Sequence, residues 1–150
     1  MSEKLIANWK KVFESDLSYI VFELKELIKV PAVIFLDGEM GAGKTTFAKS
    51  FIIDGETSSP SYSLLTETKS CLHADLDRVE SREDIIHLEI GLHLENKSYF
   101  LVEWGIKHKS ALMKEIPENF SFYHLKIDES SSENLDSPKY RNYSFFEILE

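Results

Sequence analysis

The stretch FLDGEMGAGKTTFAKSF, Phe35 to Phe51, decides how the rest of the chain is read. Within it, GEMGAGKT fits the pattern G-x-x-x-x-G-K-[ST], with Gly38, Gly43, Lys44 and Thr45 at the fixed positions. The pattern is common by chance, so its context matters. An apolar, β-branched run, AVIFLD, precedes it and reads as a buried strand; TTFAKSFI follows and reads as a helix from about Lys44 to Ile53, ended near Gly55. A strand, a glycine loop and a helix in that order make a phosphate cradle. The loop must curl so that several N–H groups converge, and Gly38, Gly41 and Gly43 permit the required backbone angles. The helix start adds its own N–H groups and dipole. Lys44 supplies a cation for the β- and γ-phosphates, Thr45 a hydroxyl for Mg²⁺, and Thr46 a further donor near the α-phosphate.

Working outward, DLSYIVFELKELI sets Leu17, Ile20, Val21, Leu24, Leu27 and Ile28 at helical spacing, with Ser15 as the expected N-cap. The preceding NWKKVFES is read as a strand. After the loop, strands are expected around Tyr62–Glu67 and Cys71–Asp75. A single helix is expected over ESREDIIHLEIGLHLENK, opened by Ser81 and Asp84 at capping-box spacing. SYFLVEW reads as a strand, HKSALMKEIP as a helix or turn closed by Pro117, and NFSFYHLKID as a strand with Tyr123, Leu125 and Ile127 on one face. YSFFEILE forms a last strand, close enough in sequence to its predecessor to pair antiparallel. Interleaved helices and strands give an α/β fold: one P-loop NTPase-like domain over residues 1–150, a mixed sheet flanked by helices.

A phosphate loop needs a carboxylate on a neighbouring strand to hold the metal or its water. Glu103 ends an apolar strand, where an acid is costly to desolvate unless a cation faces it; otherwise it is a strand-end glutamate reaching solvent. Asp75 in HADLDR is a second carboxylate for orienting water, or a turn-forming strand-end aspartate. Ser58, Ser59 and Ser61 surround Pro60 in a loop suited to sensing a γ-phosphate, or in an ordinary polar loop. Trp104 reads as packing, with a place beside the nucleotide as the lesser alternative. The five histidines lack the spacing of a metal pair, and the lone Cys71 reads as a packed thiol.

The totals narrow the function. The 150 residues carry 17 basic and 26 acidic side chains, a net charge of −9, which argues against direct grip on naked RNA or DNA and for a protein partner. One cysteine excludes a disulfide framework. No run approaches the ~20 apolar residues of a membrane span, and the start lacks a secretory signal's features, so a cytoplasmic protein with no membrane partner is expected.

LDGEMGAGKTTFAKSF, SSPSYSLLTE, HADLDR and LVEW, in this order and spacing, together resemble the TsaE family. That family comprises small P-loop ATPases needed for N6-threonylcarbamoyladenosine at position 37 of tRNAs. The resemblance implies that Gly41, Ala42, Gly43, Lys44, Thr45 and Thr46 wrap the phosphates of ATP. It implies that Thr45 and Glu103 hold Mg²⁺, that Asp75 supports the catalytic water or metal shell, and that Ser59-Pro60-Ser61 is a switch-like element. Lys44, Asp75 and Glu103 are then the catalytic set. It further implies partners, TsaD and TsaB, whose transferase complex the ATP cycle would reset, with tRNA met only through that complex and DNA not at all. Ser61 stands where the family has Thr, Asp77 where it has Tyr, and GIKHKS after Trp104 is more basic than usual. With only Arg78, Arg82 and Arg141 in the chain, no internal arginine finger is evident, and a partner is expected to complete the site. Two other readings of the loop are a small-molecule phosphotransferase, for which an arginine-rich lid is missing, and a non-hydrolysing binding module in which nucleotide acts as glue.

Overall fold

The computed structural model describes residues 2–39, 41–52, 64–129 and 139–149. Its centre is β2 (Ala32–Asp37), whose first five residues are all buried. Alternate side chains enter different cores: Ala32, Ile34 and Leu36 on one face, Val33 and Phe35 on the other. That two-sided burial is why the run is continuously apolar rather than alternating. β2 pairs in parallel with β5 (Tyr99–Glu103) and with β6 (Ser121–Glu129). β5 pairs in parallel with β4 (Cys71–Asp75), and β3 (Leu65–Glu67) adds antiparallel to β4. On the other side, β7 (Arg141–Leu149) runs antiparallel to β6, and β1 (Ser2–Val12) antiparallel to β7. The result is a mixed seven-stranded sheet in the order β1-β7-β6-β2-β5-β4-β3, flanked by helices as the α/β reading requires.

One face is covered by α1 (Leu17–Leu27) and α2 (Lys44–Phe51), which bury Leu17, Ile20, Val21, Leu24, Phe47, Ala48 and Phe51 against the sheet. The other is covered by α3 (Arg82–His87), α4 (Ile90–His93) and α5 (Lys109–Glu115), which contribute Ile85, Ile90 and Leu112. Cys71 packs inside, and Tyr123, Leu125 and Ile127 share a buried face of β6 as their alternation predicts. Among the described residues no helix is long and apolar enough to cross a membrane.

The structure corrects the sequence reading at several places. Ser15 does not cap α1: a 3₁₀ turn, Glu14–Asp16, precedes the helix, and Asp16 Oδ2 instead accepts from Phe13 N–H at 3.1 Å. The apolar stripe also ends early, with Leu27 half exposed and Ile28 already extended. The helix expected after Ser81 is two. Its start is as expected, with Ser81 Oγ accepting from Asp84 N–H and Asp84 Oδ2 from Ser81 N–H, both at 3.2 Å. Glu89 then adopts φ 51°, and Asn96 φ 65°, which interrupts the ladder. The first strand is longer than NWKKVFES and begins at Ser2; α2 stops at Phe51. Gly55 and Tyr62 lie outside the described residues.

Candidate functional site

The glycine loop leaves the carboxyl end of β2, the edge at which open α/β sheets place their ligands. Gly41 and Gly43 take φ of 84° and 103°, values that L side chains resist. Gly43 is also the N-cap of α2, and the helix's first backbone bond runs from Phe47 N–H to Gly43 O at 2.9 Å. The N–H groups of the first turn therefore have no carbonyl one turn earlier and point toward the loop. Gly38 sits against β6: a Cβ there would lie 2.8 Å from the Ile127 carbonyl oxygen.

Lys44 is almost wholly buried, 5% exposed. Its ammonium folds back to donate to the Gly38 carbonyl, reaches Glu39 O at 3.4 Å, and stands 3.5 Å from the centroid of the Trp104 ring. Burial pushes its pKa below the usual lysine range, opposed by Glu103, Asp37, Asp75 and Asp77. Trp104 is thus not mere packing: at φ 61°, directly after the strand-end acid, it places its ring over the loop lysine.

Glu103 closes the site from the neighbouring strand and is 3% exposed. Thr45 Oγ1 donates to its carboxylate at 2.9 and 3.2 Å, and His73 Nε2 meets Glu103 Oε2 at 2.6 Å. Asp75 is Glu103's register partner across β4 and β5. Its Oδ1 accepts from Asp77 N–H at 3.2 Å, the turn-forming role open to it from sequence, while the residue remains exposed beside Glu103. A cleft of about 330 Å³ joins Gly41, Gly43, Lys44, Thr45, Thr46, Asp75, Asp77, Glu103 and Trp104 with Arg141 from β7. Ala42 lies buried within the loop. Ser59 and Ser61 lie outside the described residues.

This donor set suits a phosphate chain with Mg²⁺. The loop is curled where a Cβ would fill it, and a hydroxyl and a carboxylate lie within one hydrogen bond of each other. Among the described residues no three His, Cys, Asp or Glu side chains converge as a metal cage. Mg²⁺ needs none, since it is held by one or two protein oxygens together with phosphates and water.

Sequence reasoning left three residues here only partly placed. His73 was visible in HADLDR, but its reach to Glu103 depends on the parallel pairing of β4 with β5. Trp104 packs against the core as expected and also covers the Lys44 ammonium; Arg141 was named only among the three arginines, and what signalled its position was the expected antiparallel pairing of the last two strands.

The family model described as "Threonylcarbamoyl adenosine biosynthesis protein TsaE" matches residues 13–137. The chain belongs to the TsaE family. Curated relatives named tRNA threonylcarbamoyladenosine biosynthesis protein TsaE include one from Rickettsia typhi, 32% identical over 71% of this chain and 74% of that protein. Another, from Haemophilus influenzae, is 30% identical over 61% of this chain and 63% of the relative, just under two thirds of its length. A third, from Bacillus subtilis, is 29% identical over 65% and 66%. The chain also resembles the crystal structure of Bacillus subtilis YdiB, with a TM-score of 0.52 and 19% identity, covering 99% of this chain and 89% of that one; this likeness supports the fold.

Proposed function

We propose that the protein is a cytoplasmic, ATP-binding and ATP-hydrolysing accessory factor of tRNA N6-threonylcarbamoyladenosine formation, acting on a TsaD–TsaB transferase complex. One observation carries the nucleotide half of the reading. The Thr45 hydroxyl and the buried Glu103 carboxylate, 58 residues apart in sequence, meet at 2.9 Å at the mouth of the glycine loop. A buried acid beside a loop hydroxyl is the pair from which a P-loop protein builds its Mg²⁺ site. Family membership supports the tRNA half, and the net charge of −9 favours docking on protein over tRNA.

In this mechanism the loop N–H groups and Lys44 bind the phosphates, with Lys44 exchanging the Gly38 carbonyl for a phosphate oxygen. When bound, Mg²⁺ would neutralise charge developing between the β- and γ-phosphates. Thr45 and Glu103 would hold it; His73 keeps the Glu103 carboxylate turned toward Thr45. Asp75, at the exposed lip of the cleft, orients the attacking water.

The test is association and turnover together. The chain should be captured by TsaD and TsaB in a nucleotide-dependent manner, and phosphate release should be slow alone and faster in the assembly. Failure to associate with ATP, with ADP and without nucleotide would remove the tRNA-modification role and leave the phosphate site. Phosphate transfer to a nucleoside or sugar in place of free phosphate release would turn the reading to a kinase.

A further inference from the structure

We propose that His124 is a positioning residue of the phosphate loop: held from β1 by Glu3, its ring engages the Asp37 carboxylate and so leaves Lys44 free for phosphate. The proposal deepens the ATP reading above and rests on it.

An acid stands where it could disable the loop lysine. Asp37 ends β2 and comes directly before Gly38, the first loop glycine. Behind the loop it shares with Lys44 a second cavity, of about 220 Å³, walled in part by Leu36, Trp104 and Ile106. Its charge is felt there, since Asp37 is one of the acids that oppose the effect of burial on Lys44. A buried ammonium gains most from a carboxylate partner. Yet among the described residues Asp37 and Lys44 form no ion pair. Lys44 rests instead on the Gly38 and Glu39 carbonyls and the Trp104 ring. Those acceptors are neutral and yield to a phosphate oxygen. An aspartate on the ammonium would compete as one anion against another.

What engages the acid is a histidine on the neighbouring strand. His124 lies on β6, opposite Phe35 of β2 and Phe146 of β7. It is buried. Its Nε2 meets Asp37 Oδ2 at 2.8 Å and its Nδ1 meets Glu3 Oε1 at 2.9 Å. Ionised carboxylates only accept, so both hydrogen bonds form when both ring nitrogens carry a proton. The ring is then a cation between two anions. Phe146 packs beside it, with 5.7 Å between ring centroids. Two lysines are placed to compete for Asp37: Lys126, its register partner, and Lys107, which lines the same cavity. Among the described residues neither forms an ion pair with it.

Glu3 makes the arrangement a restraint on the ring as well as on the acid. It sits on β1, the edge strand two places from β6, and holds the ring nitrogen that faces away from Asp37. Glu3 also precedes residues 13–137, which the family model matches, so this support reaches the loop from outside the motifs that define it.

The test uses the full chain, with Mg²⁺-ADP and Mg²⁺-ATP in isothermal titration calorimetry well below each variant's melting temperature. His124→Leu and His124→Phe keep an apolar filling beside Phe146 and remove both ring donors. Each should weaken both nucleotides by the same factor, roughly three- to tenfold, as the released aspartate pairs with Lys44. His124→Gln keeps one donor and should lose less. The decisive arm adds Asp37→Asn to His124→Leu. With no anion left to compete, most of the lost affinity should return although the ring is still missing. A merely structural histidine would lower the melting temperature without that recovery. If His124→Leu does not fold, His124→Phe carries the same pair of measurements. Unchanged dissociation constants in the folded variant overturn the proposal, and so does a loss that Asp37→Asn fails to restore. Wild-type protein that takes up neither nucleotide refutes the ATP reading and this proposal with it, a result distinct from a histidine whose loss changes nothing.

Discussion

Replacing Glu103 with glutamine separates an acid kept for metal from one kept for the fold. In the unliganded protein the carboxylate accepts from two donors, the Thr45 hydroxyl at 2.9 and 3.2 Å and His73 Nε2 at 2.6 Å. Hydrogen bonds to a charged group contribute about 1.5–3 kcal/mol each, so the two together supply roughly 3–6 kcal/mol. Against this stands the desolvation of a carboxylate that is 3% exposed, a cost of several kcal/mol. The two nearly cancel. Glutamine keeps an oxygen for Thr45 and donates its amide N–H to His73 Nε2, which then carries its proton on Nδ1, so the Glu103→Gln protein should fold with a stability change of about 1 kcal/mol in either direction, about 2–4 °C in Tm.

The ligand response should differ. At Mg²⁺-ADP one hundred times its Kd, the wild type gains about 2.7 kcal/mol. Loss of a metal ligand weakens binding at least as much as loss of a supporting residue, about tenfold or more. The gain at the same concentration then drops to about 1.4 kcal/mol or less. Thermal melts with and without Mg²⁺-ADP read both quantities, and EDTA should bring wild type down toward the variant. A Glu103→Gln protein melting more than about 10 °C lower, yet still showing the full Mg²⁺-dependent shift, would make Glu103 a structural acid and refute the reasoning.

Two further outcomes are expected. Burial lowers the Lys44 pKa below its ordinary 10.5, so between the folded value and 10.5 the unfolded chain holds more protons and stability rises with pH; Lys44→Met removes that contribution. In urea titrations from neutral to alkaline pH, wild-type stability minus variant stability should therefore increase through this window. A flat difference would deny that the charged lysine is strained by burial, and Lys44→Met should in addition lose ATP and ADP binding. Ser81→Ala removes the hydroxyl that accepts from Asp84 N–H at the start of α3 and should cost about 1 kcal/mol by thermal unfolding, with nucleotide affinity unchanged; a loss of affinity would tie α3 to the site.

The central architecture was legible because its signals are local. AVIFLD is too short and too apolar for anything but a strand buried on both faces, and the glycines that follow it are explained by φ of 84° and 103° at Gly41 and Gly43. Glu103 could be chosen because a phosphate loop needs an acid from the next strand, and Thr45 does meet it. What could not be read was anything fixed by register. His73 touches Glu103 through the alignment of β4 on β5, with His73 opposite Leu101 and Asp75 opposite Glu103. Arg141 reaches Gly43 because an antiparallel β7 must begin where β6 ends, at the loop edge of the sheet; Glu129 and Arg141 are register partners there. Antiparallel pairing was expected, but the residue it delivers to the site was not followed. Ser15 failed as a cap because a neighbouring aspartate bonds Phe13 N–H in a 3₁₀ turn, a competition between close polar side chains that spacing alone does not resolve.

The charge of the cleft bears on which form of nucleotide the site can accept. Its walls carry three acids, Asp75, Asp77 and Glu103, against two cations, Lys44 and Arg141. Lys44 is already engaged, by the Gly38 carbonyl and the Trp104 ring, and those same acids help keep it charged. A bare polyphosphate would meet a wall of its own sign on the β4–β5 flank and only the loop and Arg141 on the other. Adding a divalent cation reverses the balance on the acidic flank alone. On the proposed reading, the asymmetry favours a metal complex over bare polyphosphate, with Thr45 and Glu103 as the residues that would hold the metal. It would also explain how an acidic chain could keep a phosphate site: the positive charge that most phosphate binders carry in their surface would here arrive with the ligand.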